Sequence, residues 1–155
     1  MGRVYTAAFT GVSVSATQDF FEVVAPSTAI VVLHEVHITQ DASETSEQLP
    51  VSVIRVPSTV TSGTGGSSIT PRKMQSGDPA AAATVEANNT TVATTSGTLE
   101  TLDRLGDNVL NGWHWVWPPE SRPVIAPSGT MVVRLGTAPG AALTMSGLVK
   151  FEEIG

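Results

Sequence analysis

Residues 29–39 read AIVVLHEVHIT. Ile30, Val31, Val32, Val36, Ile38 and Thr39 are β-branched, and no glycine or proline interrupts them. Such side chains pack well on a pleated surface and lose rotamer freedom in a helix, so the stretch predicts the longest strand of the chain. Side chains on a strand alternate between faces, which puts Glu35 and His37 on one side and His34 on the other. On a regular strand the two histidines therefore cannot share a metal ion. The stripe of Glu35 and His37 is expected to face solvent or a subunit neighbour. The acidic turn that follows, QDASETSEQ at residues 40–48, lacks the Asp-x-Asp-x-Asp-Gly pattern of a calcium loop.

The same reading extends outward. The 155 residues fit one domain able to bury a sizeable core, and twenty Val and twenty Thr against nine Leu favour strands over helices. Alternation predicts strands at Val4–Thr10, resuming at Val12–Ala16 after Gly11, then at Phe20–Ala25, Leu49–Val56, Met131–Leu135 and Leu143–Glu152, where Gly147 suits a bulge. Between Pro57 and Thr98 the chain is poor in large apolar residues and rich in Ser, Thr, Gly and Ala. This reads as a long irregular insertion, with a flexible tip TSGTGGSS at residues 61–68 and a turn at Asn88 and Asn89. Leu99, Leu102 and Leu105 recur at helical spacing up to Gly106, predicting one short helix. The expected fold is all-β: a single jelly-roll-like β-sandwich spanning residues 1–155, with the excursion at about 57–98 and that one helix.

Charge and motif content narrow the function. The formal net charge is −6, from eight Lys plus Arg against fourteen Asp plus Glu, a balance that argues against a nucleic-acid partner. No apolar run approaches the roughly 18 residues of a membrane span, and no signal-peptide pattern opens the chain, so neither a membrane nor secretion is expected. Cysteine is absent, which removes disulfides and thiolate chemistry. Neither a nucleophile elbow nor a phosphate-binding loop occurs. Glu152 with Glu153, or Asp103 with Asp107, are carboxylate pairs in name only. No catalytic residue, cofactor or metal is expected.

Residues 111–119, NGWHWVWPP, carry all three tryptophans of a chain with eight aromatic residues. Alternation sets Trp113, Trp115 and Trp117 on one face and His114 and Val116 on the other. The indole face suits the protein's own core, a protein interface, or stacking on a sugar.

The stretches MGRVYTAAF, AIVVLHEVHITQ, VEANNTT, WVWPPESRPVIAPSGTMVVRL and LTMSGLVKFEEIG together make nearly the whole chain resemble small virion proteins of tailed bacteriophages and prophages, of the capsid decoration or cement type. The resemblance implies a noncatalytic protein on the outer capsid surface, made in the host cytoplasm, that binds the major capsid protein and associates with itself, as a trimer by preference or as a dimer. Candidate contact residues are Arg3 and Tyr5, then Arg72, Lys73 and Met74, then Trp113, Trp115 and Trp117. The alternative is a glycan-binding head-fibre or tail component that uses the tryptophan face.

Overall fold

The computed structural model describes residues 2–42 and 46–155; residues 43–45, in the middle of the acidic turn, lie outside the described residues. The predicted strands appear as β1 (Arg3–Val14), β2 (Gln18–Val24), β3 (Ile30–Gln40) and β4 (Gln48–Val56). Toward the C-terminus lie β10 (Glu100–Asn108), β11 (Trp113–Val116), β12 (Val124–Ile125), β13 (Thr130–Leu135) and β14 (Leu143–Ile154). The excursion between them contributes five more: β5 (Val60–Thr61), β6 (Ser67–Ile69), β7 (Arg72–Lys73), β8 (Thr84–Asn89) and β9 (Thr94–Thr95).

Two antiparallel six-stranded sheets result. The first runs β11-β3-β14-β1-β7, with β12 also on β3; the second runs β10-β4-β13-β2-β8-β6. Their inner faces meet in one core. Tyr5, Leu33, Val36, Ile38, Val149 and Phe151 come from the first sheet, and Phe21, Val23, Val51, Val53, Met131 and Val133 from the second. Apolar alternation and the β-branched content are enough to dictate this all-β arrangement.

The expected helix is corrected. Residues 100–108 form the edge strand β10, paired with β4, and the register shifts between Thr101 and Asp103, so Leu102 is an extra residue in a β-bulge. Leu99 precedes the strand, and the bulge takes Leu102 out of the regular alternation, so the spacing of three reflects no helix. Among the described residues the only helical element is a 3₁₀ turn at Pro119–Ser121. The bulge expected at Gly147 lies instead on its neighbour β1, between Phe9 and Val12, where Gly11 has a φ of +64°. Gly147 keeps regular register with Ile38, and a Cβ there would stand 2.5 Å from the Phe9 ring.

The excursion is ordered. β8 and β6 widen the second sheet, β7 widens the first, and β5 with β9 forms a two-stranded cover. That cover lies on the outer face of the second sheet, where Ile54, Val56 and Val132 are buried with Ala93 and Val60 in a second apolar cluster. Buried charges pin it down. Arg134 forks onto Asp19 (2.6 and 3.1 Å) and also donates to the Ala93 carbonyl at 2.7 Å, while the Ala93 amide donates to Asp19 at 2.7 Å. Glu22 accepts from Ser62 Oγ at 2.8 Å, from the Gly63 amide at 2.9 Å and from Asn89 Nδ2 at 3.1 Å. The supposed flexible tip is thus held by a carboxylate at its start. Asn88 and Asn89 end a strand and are buried, with Gln18 Nε2 donating to Asn88 Oδ1 at 2.8 Å.

Candidate functional site

The outer face of the first sheet carries a cluster of chemically capable side chains. Its origin is a bulge in β3. Lys150 pairs with Glu35 and Phe151 with Leu33, so His34 is the additional residue. Strict alternation, which separates His34 from His37, is therefore corrected: His34, Glu35 and His37 all point outward, while Leu33, Val36 and Ile38 point into the core. β11 runs antiparallel beside β3 with His114 directly opposite His37. Directly opposed residues hold their Cβ atoms about 4.5–5.5 Å apart. All three histidines of the chain consequently share this face.

Contacts within the cluster are specific. Glu35 Oε2 lies 3.3 Å from His37 Nε2, and Lys150 Nζ pairs with Glu35 Oε1. The His37 and His114 rings have centroids 3.8 Å apart at a tilt of 60°. One ligating atom from each of Glu35, His37 and His114 falls within 4.8 Å of the others. Next to this group, His34 Nε2 sits 3.1 Å from Glu152 Oε2. Burial holds the His37 pKa below the usual 6.5. His34 is also held below it, first by burial and then by the Arg122 charge, against the pull of the Glu152 carboxylate. Imidazoles shifted this way are neutral near pH 7, the form that accepts a proton or donates a lone pair.

The residues singled out from sequence lie elsewhere. Arg3, Arg72, Lys73 and Met74 come together on the far edge of the same sheet. Thr6 pairs with Arg72 and Tyr5 with Lys73, and the Met74 amide donates to the Val4 carbonyl at 2.9 Å. All four side chains are exposed, so two separate candidate contacts become one basic edge. Tyr5 is corrected: it is fully buried, and its hydroxyl donates to the Pro79 carbonyl at 3.2 Å, tying the excursion to β1.

The tryptophans are corrected too. Trp113, Trp115 and Trp117 are 1%, 5% and 9% exposed and belong to the core, so they offer neither an interface nor a sugar platform. Two of their indole nitrogens tie β11 and its end to β10: Trp113 Nε1 donates to the Leu105 carbonyl at 3.2 Å and Trp117 Nε1 to Asp103 Oδ2 at 3.3 Å. Core packing is the reading of NGWHWVWPP that holds.

At one end of the sandwich a cleft of about 510 Å³ is lined by Val56, Pro57, Val124, Ile125 and Pro127, with Ser58 and Ser128 both at left-handed φ (+62° and +60°). Among the described residues Arg55 is its sole charged lining residue, so they supply it no acid–base pair.

Sequence reasoning missed the Glu35, His37 and His114 group because it depends on β3 lying beside β11. The outward direction of His37 and of His114 was legible within each strand, but their adjacency was not. Compared with protein-family models, curated proteins and solved structures, the chain finds no match in any of the three.

Proposed function

We propose that the chain is a noncatalytic structural protein of a phage virion, a single jelly roll that decorates the outer head surface and braces contacts between major capsid proteins. The observation that carries this reading is the nesting of the eight strands of four or more residues that lie outside the excursion. In chain order, the first pairs with the eighth (β1 with β14), the second with the seventh (β2 with β13), the third with the sixth (β3 with β11) and the fourth with the fifth (β4 with β10). A long antiparallel ribbon folded back on itself in this way supports the jelly-roll reading, an architecture of viral capsid domains among others. Fold alone does not assign function, so the reading leans as well on the sheet edges and on the sequence resemblance.

The two sides of the sandwich differ. On the β10 and β11 side, Leu102, Leu105, Leu110, Val116 and Val124 are exposed beside the end strands of the two sheets. Such an edge is a template for pairing with another chain. We assign it to self-association, as a trimer by preference or as a dimer. The opposite side presents Arg3, Arg72, Lys73 and Met74, a basic edge on a chain of net charge −6, and we assign it to the major capsid protein. Many copies of a modest contact then hold the protein by avidity.

Light scattering of the purified protein, alone and mixed with capsids lacking it, tests the reading. An oligomer that co-sediments with those capsids and raises their melting temperature supports it. A monomer that leaves capsids unbound and unstabilised overturns it.

A further inference from the structure

We propose that Glu35, His37 and His114 form a surface site for one divalent transition-metal ion of the zinc class. This is a property of the isolated chain and does not rest on the capsid reading.

The donor set is one carboxylate oxygen and two imidazole nitrogens, which suits zinc, nickel or copper(II) and not the hard cations calcium and magnesium. The distances fit. Glu35 Oε2 and His37 Nε2 stand 3.3 Å apart. Two ligands bound at about 2.0–2.2 Å with a tetrahedral angle stand about 3.4 Å apart. An ion placed between them replaces their hydrogen bond without moving the backbone. His114 is exposed, its ligating atom lies within 4.8 Å of the other two, and a side-chain rotation completes the third bond. A fourth position faces solvent and suits water.

The scaffold favours a fixed geometry. His37 is flanked by His114 of β11 on one side and by Leu148 of β14 on the other, so both histidines stand on paired strands and not on loops. Lys150 holds Glu35 Oε1, which leaves Oε2 directed at the imidazole. The lysine also opposes an incoming cation, so the site is of modest affinity and fills when the metal is supplied.

The test is calorimetric titration of the full chain, freed of metal by chelation, with zinc sulfate. Cobalt(II) absorption serves as a second readout, because its d–d bands intensify on four-coordination. One zinc per chain is expected. His114→Ala, His37→Ala and Glu35→Gln should each weaken binding by about 10- to 100-fold, on the scale that changes in a metal site's surroundings produce. His34→Ala should leave it unchanged. His114 is exposed and packs in no core, so its variant folds normally and carries the test even if Glu35→Gln disturbs the Lys150 pair. No saturable binding, or binding that survives His114→Ala, overturns the proposal. Binding lost in His34→Ala but kept in His114→Ala overturns it as well, by moving the ion to the His34 and Glu152 pair.

Discussion

The two outer faces of the sandwich treat charge in opposite ways. On the second sheet, Asp19 and Glu22 are covered by the excursion, and each of their hydrogen bonds ends on a group that the cover or a neighbouring strand supplies. On the first sheet, Glu35, His37, His114 and Glu152 lie on an outer face that leaves them partly or fully exposed. Buried charges are stable only when fully paired, so the covered face uses its carboxylates as fasteners. The more exposed face holds similar side chains in looser pairs, free to exchange one partner for another. Position relative to the excursion, and not residue type, separates structural charge from available charge.

The sharpest way to break this comparison is to strip Asp19 of its partner. Arg134→Met should destabilise by about 3–5 kcal/mol, the usual cost of leaving a buried charge unpaired. In a domain of this size that is a fall in melting temperature of about 6–20 °C. Adding Asp19→Asn should restore most of the loss. An unchanged melting temperature in the single variant would mean that the cover is not fastened there.

A smaller effect is expected at Glu22. Glu22→Ala leaves the buried Gly63 amide without its acceptor, which costs about 1–3 kcal/mol. Hydrogen exchange should accelerate at Ser62 and Gly63 while the β1, β3 and β14 amides stay protected. Uniform acceleration would show that the cover and the sandwich open as one unit.

Tyr5→Phe sharpens the comparison at the other tie. Loss of its hydrogen bond to Pro79 should cost about 0.5–1.5 kcal/mol in denaturant unfolding. Burial raises the Tyr5 pKa above 10.0, with a further push from Glu153. The folded chain then keeps its phenol proton at a pH where the unfolded chain has lost it. That contribution is complete below the unfolded pKa and is lost as pH rises through the folded one. The wild type should therefore lose stability more steeply above about pH 10 than Tyr5→Phe.

On the outer face of the first sheet, His34→Ala should change stability by only about 1 kcal/mol, as for a single part-buried hydrogen bond to Glu152. A larger loss would erase the distinction between the two faces.

The layers and the inward faces of the long strands, apart from β10 and the bulged β3, were readable from alternation. Val51 and Val53, the three tryptophans, and Leu143, Met145, Val149 and Phe151 all point where period two sends them. The errors have two physical sources. Bulges at Leu102 and His34 add one residue to a strand, so a spacing of three reads as a helix in one place and as opposite faces in the other. The excursion reads as loose because its order comes from Asp19 and Glu22, which are remote in sequence and belong to another element. Composition reports what a segment can bury, not which distant carboxylate will hold it.

The bulge in β3 has a consequence in genetic terms. Removing His34 from the pairing would leave Leu33 opposite Phe151 and Glu35 opposite Lys150, an unbroken ladder with both faces intact. The strand thus accommodates a one-codon insertion by looping it outward, and neither the core nor the far half of the strand changes register. A sheet built this way can acquire a surface side chain by lengthening the gene instead of replacing a residue.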